Sequence, residues 1–286
     1  MTALRIRSGE GRKGFAPPDQ NALINRTIED FGEQWTTYVD NSGYYGSAAL
    51  FDDVFAPFIT ASDLNGKTIA EVGSGSGRWV RVFVDAGAAH VIALEPSAAI
   101  DVLRRAFAAD ADRVELVHLH GDRLPARSDR DYVFSIGVLH HIPDPVPVCR
   151  AAMDALKPGG AFGVWVYGRE GNAAYLMLFG ALHGVTRRLP HRALAALSWL
   201  RGWALDGYIL ACRVVPLPLR GYATNVLAKL SRDKRRLVIY DQLNPAYAKY
   251  YTRSEAVALL ERAGFEDVRV HHRHGYSWTV VGRRPA

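Results

Sequence analysis

The strongest pattern of apolar and polar positions begins at Ile69-Ala70-Glu71-Val72, breaks at Gly73-Ser74-Gly75-Ser76-Gly77 and resumes with Arg78-Trp79-Val80-Arg81-Val82-Phe83-Val84. The first run predicts a strand, and the apolar Trp79, Val80, Val82, Phe83 and Val84 predict a helix that starts near Gly77 and packs back on a sheet. Glycine tolerates positive φ and lets backbone amides come close to a ligand, so strand, tight turn and helix form a candidate cradle. Apolar runs recur at His90-Val91-Ile92-Ala93-Leu94 and at Val114-Glu115-Leu116-Val117-His118. Near the C-terminal end, Val268 to Arg273 and Tyr276 to Val281 predict two antiparallel strands turning at His274-Gly275. Strands alternating with helices predict an α/β domain.

A different pattern occupies residues 169–239. Leu194, Leu197 and Leu200 recur at a three-residue step while Arg192 and Arg201 lie off that row, which predicts amphipathic helices. Pro190, Pro216 and Pro218 cut the segment into three or four of them. The segment is also rich in Leu176, Met177, Leu178, Phe179, Trp199, Trp203, Leu205, Tyr208, Ile209 and Leu210. Charge is concentrated here as well: from Arg169 to Arg236 twelve Lys or Arg face only Glu170, Asp206 and Asp233, in a chain of net charge +6. Such a segment serves as a helical lid over the core, a pocket for an apolar substrate, or a basic face on an anionic membrane surface. A phosphate-bearing acceptor would suit Arg187, Arg188, Arg232, Lys234, Arg235 and Arg236. Nucleic acid is not expected, because no nucleic-acid-binding motif accompanies the charge.

The glycine turn admits two ligands. A dinucleotide fingerprint requires Gly-x-Gly-x-x-Gly, and the position of its third glycine is Arg78 here. The second run ends at Glu95-Pro96-Ser97, the offset at which a doubly wound fold places an acid that binds ribose hydroxyls. With Glu71 two residues before Gly73, the turn resembles motif I of class I S-adenosylmethionine-dependent methyltransferases. Gly121-Asp122-Arg123 is similar to that family's turn after strand three, where an acid meets the adenine amino group. The block from Asp131 through Ser135-Ile136-Gly137-Val138-Leu139-His140-His141-Ile142-Pro143-Asp144-Pro145 to Lys157-Pro158-Gly159-Gly160 is similar to strand four, active-site turn, helix and strand five of its small-molecule members. The resemblance covers roughly residues 65–168 and returns from Tyr251 to Phe265, as the helix before the last two strands.

The resemblance implies a doubly wound, Rossmann-like seven-stranded sheet with an N-terminal cap (residues 1–60), a cofactor-binding core (61–168), a basic helical insertion as substrate lid (169–239) and a C-terminal part of the core (240–286). It implies S-adenosyl-L-methionine as cofactor, with Glu71, Gly73, Gly75 and Gly77 at the methionine end, Glu95 at the ribose, Asp122 at the adenine, and Arg78, Pro96, Gly121, Arg123 and Ile136 around them. The acceptor is expected to be a small or lipid-linked molecule methylated at oxygen, with carbon in a quinone- or polyketide-like ring as the alternative. From another class, the chain could be a membrane-surface or partner-binding module that keeps the fold without transfer.

A hydroxyl acceptor must lose a proton, and His supplies a base near neutral pKa without a large shift. His140 is the favoured base and His141 the second candidate, with Asp144 able to orient either ring or to cap the following helix. Tyr167, at the end of Val164-Trp165-Val166-Tyr167, and Asp241, in Asp241-Gln242-Leu243-Asn244-Pro245-Ala246-Tyr247, are further catalytic candidates. Trp35, Tyr44, Tyr45 and Tyr247 are candidates for substrate contact. His271, His272 and His274 make a weak metal site, since a strand period of two puts His272 and His274 on one face and His271 on the other; no metal is expected. No apolar run reaches the roughly 18 residues a membrane span needs. Met1 to Lys13 lacks the apolar stretch of a signal peptide, and Cys149 and Cys212 alone form no disulfide framework, so a cytoplasmic protein is expected.

Overall fold

In the computed structural model the chain is described over residues 20–172, 191–243 and 247–286, with backbone only at 191–202, 239, 242 and 243. Met1 to Lys13, Leu176 to Phe179, Arg187, Arg188, Pro190 and residues 244–246 lie outside the described residues, as do the side chains of Arg192, Leu194, Leu197, Trp199, Leu200 and Arg201.

The apolar runs become β1 (Thr68–Val72), β2 (His90–Leu94), β3 (Val114–Val117), β4 (Arg130–Ile136) and β5 (Leu156–Tyr167), followed by β6 (Glu266–Arg273) and β7 (Ser277–Arg283). They form one seven-stranded sheet in the order β3-β2-β1-β4-β5-β7-β6. β1 to β5 pair in parallel, and β7 enters antiparallel between β5 and β6. The strand period of two splits the buried side chains between two layers. Val91, Ala93 and Phe134 face one core cluster with Trp79, Phe83 and Leu103. Ile92, Leu94, Val133, Phe162 and Val164 face the other, with Cys149, Ala152 and Leu260.

Helices cover both faces: α1 (Gln20–Thr37), α2 (Ala48–Phe55), α3 (Arg78–Asp85), α4 (Ile100–Ala106) and α5 (Val146–Ala155) come first. The basic segment then supplies α6 (His191–Val214), α7 (Arg220–Asn225) and α8 (Arg232–Leu243), and α9 (Arg253–Glu261) precedes the last hairpin. The expected helix after the glycine turn is α3, which buries Trp79, Val80, Val82, Phe83 and Val84. α9 starts at a capping box, the Thr252 hydroxyl accepting from Glu255 N and Thr252 N donating back to Glu255 Oε2; such a cap contributes about 1 kcal/mol. The N-terminal segment does two different jobs. α2 belongs to the core, where Phe51 and Phe55 are fully buried against Phe134 at ring separations of 5.4 and 5.0 Å, while α1 runs over the ends of the strands.

The insertion packs on α1 and the aromatic turn after it. Ile209, Cys212, Ala223, Leu227, Leu230 and Leu237 form a third cluster with Tyr45, against which Trp35 and Tyr38 pack. Four of its cations are paired: Arg232 and Arg235 share Asp206, Lys234 reaches Asp40, and Arg236 pairs with Asp233. The phosphate-binding set expected from Arg232, Lys234, Arg235 and Arg236 is therefore corrected, because each of these cations already has a carboxylate partner. No helix of the described residues is long and apolar enough to cross a membrane.

The final hairpin also corrects the histidine geometry. His274 lies in the turn after β6, at φ 47°, and its Nε2 sits 2.8 Å from Asp53 Oδ1, while His272 stacks on Trp278 at 4.1 Å. His272 and His274 thus share no strand face, and no group of three metal-ligating side chains occurs among the described residues.

Candidate active site

The glycine turn is built where β1 ends. Gly73 N and Ser74 N both donate to Leu94 O at 2.9 Å, which ties the turn to β2. Gly75 has φ 53°, and a Cβ on it would come 3.1 Å from the Trp35 ring, so α1 lies directly on the turn. Gly77, at φ 83°, starts α3 and approaches so closely that a Cβ would meet Phe107 at 2.5 Å. Two carboxylates flank the turn. Glu95 is 4% exposed and accepts Gly75 N at 2.8 Å on one oxygen and Ser97 N at 2.9 Å on the other. A carboxylate offers about four lone-pair sites, so these two bonds aim it while leaving capacity for ligand hydroxyls. Glu71 is 1% exposed, its Oε2 has no hydrogen-bond partner among the described residues, and burial pushes its pKa up to about 8.

These groups open on a cavity of about 440 Å³ at the carboxyl ends of the parallel strands. Among the expected cofactor residues, Glu71, Gly73, Gly75, Arg78, Glu95, Pro96, Gly121, Asp122 and Ile136 line it. Gly77 and Arg123 do not. Gly77 acts from behind, as the hinge between turn and helix, and Arg123 is an exposed residue of the short turn Gly121–Arg123. The residues present fit a nucleoside sulfonium with an amino-acid tail. The orphaned Glu71 oxygen asks for a cation, the aimed Glu95 carboxylate for hydroxyls, and the glycine turn leaves room where a side chain would intrude.

The two adjacent histidines separate sharply. His141 lines the cavity, and its Nδ1 is 2.8 Å from the carbonyl oxygen of Tyr247. A carbonyl can only accept, so Nδ1 carries the proton and Nε2 holds the lone pair of a neutral ring. Burial lowers the His141 pKa, opposed by the Tyr247 carbonyl and the charge of Asp241. His140 is fully buried, does not line the cavity, and has no partner on either ring nitrogen among the described residues. Burial holds its pKa well below the usual value. Its ring is packing for Tyr167, 4.0 Å away. The expectation that favoured His140 is thereby corrected, since a proton acceptor must reach the ligand.

Asp241 and Tyr167 both line the cavity and meet there. Asp241 accepts from Gln34 Nε2 at 2.8 Å on one oxygen and from the Tyr167 hydroxyl at 3.3 Å on the other. It ties α1, α8 and β5 together. Asp144 orients neither imidazole: it accepts from Val146 N at 3.3 Å, at the start of α5.

Of the expected substrate contacts, Trp35 and Tyr45 line the cavity, and Tyr45 carries the Arg78 guanidinium 4.2 Å above its ring. Tyr44 and Tyr247 do not line it, which corrects both. The Tyr44 hydroxyl is buried without a partner among the described residues, and Tyr247 acts through its main-chain carbonyl on His141. Sequence reasoning missed Ile24, Ile28 and Phe31, which line the cavity with Trp35 as an apolar stripe on α1, although the spacing of four, three and four residues is helical. It also missed Gln34, Arg273, Tyr222 and Tyr276, for which no local signal exists.

Residues 69–160 match the family model described as "Methyltransferase domain". The tRNA U34 carboxymethyltransferase of Klebsiella pneumoniae subsp. pneumoniae is 36% identical over 103 residues, covering 35% of this chain and 30% of that protein. The ubiquinone biosynthesis O-methyltransferase of Hydrogenovibrio crunogenus is 26% identical over 170 residues, covering 57% of this chain and 68% of that protein. The chain thus spans about 30% of the length of the tRNA-modifying relative. Among solved structures, the 1,6-didemethyltoxoflavin-N1-methyltransferase of Burkholderia thailandensis, with bound 1,6-didemethyltoxoflavin and S-adenosylhomocysteine, shares the fold at TM-score 0.51 and 16% identity over 96% of this chain and 94% of that one.

Proposed function

We propose that this chain, a class I S-adenosylmethionine-dependent methyltransferase by its matched domain and its fold, transfers a methyl group to an oxygen of a small or lipid-linked acceptor, with His141 as general base. S-adenosylmethionine, when bound, supplies a methyl carbon already activated on a sulfonium. Glu71 would hold the methionine ammonium, Glu95 the ribose hydroxyls and Asp122 the adenine amino group, with Pro96, Gly121 and Ile136 walling the nucleoside. The chain's remaining task is to orient the acceptor, exclude water and remove one proton.

The observation that carries the oxygen assignment is the 2.8 Å contact of His141 Nδ1 with the Tyr247 carbonyl oxygen, from which the tautomer follows. With Nδ1–H fixed on the Tyr247 carbonyl, Nε2 is the basic nitrogen, and the lowered pKa keeps it unprotonated at neutral pH. Asp241 stabilises the imidazolium that forms when the proton is taken, while Tyr167 and Gln34 hold Asp241 in place. His141→Ala is expected to bind S-adenosylhomocysteine like the parent protein yet lose on the order of 10²-fold or more in turnover on a hydroxyl acceptor. In the parent protein the rate should fall only on acidification below the ordinary histidine range. Full turnover by His141→Ala would remove the base and favour a carbon acceptor. A second reading, a tRNA acceptor, draws on the tRNA-modifying relative. Incubation with unmodified tRNA and labelled cofactor separates the two, since only that reading predicts label in RNA.

A further inference from the structure

The cavity has two poles. One lies over β1 and β2, around Glu71, the glycine turn and Glu95. The other lies over β5 and the β6–β7 turn, where Leu50, Val54, Trp165, Tyr222, Arg273 and Tyr276 face the same space. Nothing in the cofactor assignment uses this second pole, although it contains a guanidinium only 2% exposed.

Arg273 is committed on its own side. Its Nε donates to Asp53 O at 3.1 Å and to Asp53 Oδ2 at 3.0 Å, Nη2 pairs with the same carboxylate, and Nη1 donates to the Tyr276 hydroxyl. His274 Nε2 occupies the other Asp53 oxygen at 2.8 Å. The guanidinium is therefore neutralised and immobile, and its role is to hold Tyr276. Ser277 Oγ, on the next residue, accepts from Trp165 Nε1 at 3.0 Å. A hydroxyl has two lone pairs and one proton. With one lone pair taken by Arg273 Nη1, Tyr276 still has its proton to give, and burial raises its pKa so that the proton stays on.

The walls around that donor are flat and apolar. The Tyr222 ring lies 3.9 Å from that of Tyr276, inclined by 37°, and Trp165 lies 6.3 Å away, edge-on. We propose that Tyr276 is the specificity-determining donor of the acceptor pole, receiving a hydroxyl or carbonyl oxygen on a planar ring whose other end carries the methylated oxygen. The second half rests on the methyl-transfer reading; the ring and its oxygen rest on the pole itself. A ring without that oxygen would leave a desolvated donor unpaired.

The test is calorimetric titration of the full chain with 2,6-dihydroxynaphthalene and with 2-naphthol, each with and without saturating S-adenosylhomocysteine. The protein is expected to bind the diol several-fold to about tenfold more tightly, the worth of one neutral hydrogen bond. Tyr276→Phe should erase that preference while keeping its affinity for 2-naphthol and for the nucleoside. Equal affinities in the parent protein, binding of neither ring, or a preference that survives in Tyr276→Phe would each overturn the proposal. If the variant does not fold, the comparison in the parent protein decides alone. Failure of S-adenosylhomocysteine to bind would count against methyl transfer, and the ring preference is still scored in its absence.

Discussion

At the scale of single residues, Glu71 is the most consequential. A carboxyl group whose pKa stands near 8 is largely protonated at pH 7, and a ligand ammonium placed beside it would restore the anion. Binding of S-adenosylhomocysteine at pH 7 should then release about one proton. Calorimetry in buffers of different ionisation enthalpy measures this, and Glu71→Gln should abolish the release. In the unliganded protein the sign is opposite to that of an ordinary acid. The raised pKa means Glu71 supports folding most fully below about 4.5 and loses that support as pH climbs through about 8. The acids and glycines were legible in the sequence because each stands at the end of an apolar run, where the fold fixes its place. The choice between His140 and His141 was not. Both sit in one short 3-10 turn, Leu139–His141, and a single step along it decides which ring meets the cavity and which is sealed behind Tyr167.

At the scale of elements, the start of α3 lies close against the end of α4. Gly77→Ala would force a side chain into φ 83° and onto Phe107, and a loss of about 1–3 kcal/mol is expected in urea unfolding. An unchanged midpoint would mean that Phe107 can swing aside. The strands, α3 and the last hairpin were readable from period and turn residues because those signals are local. The role of α1 as a roof was only half readable. Its stripe of Ile24, Ile28, Phe31 and Trp35 announces an apolar partner, but the contact that fixes it, Gln34 on Asp241, joins residues 207 apart. The basic insertion misled for a related reason, since its charges pair across helices with Asp206 and Asp40.

At the scale of the whole molecule, ligand binding and folding are coupled, because the cavity is bounded by segments from the whole described chain. S-adenosylhomocysteine at a hundredfold excess over its Kd should stabilise the native state by about 2.7 kcal/mol. That corresponds to roughly 5 °C in the melting temperature of a chain of this size, and no shift would argue that the nucleoside pole is not preformed. The Gln34–Asp241 contact also sets a timetable for synthesis. At roughly 5–20 residues per second, the ribosome needs roughly 10–40 s after Gln34 to deliver its partner across the 207 intervening positions. Throughout that interval α1 lacks the hydrogen bond that ties it to α8. A newborn chain thus carries α1 without that tie until α8 has followed it out of the ribosome.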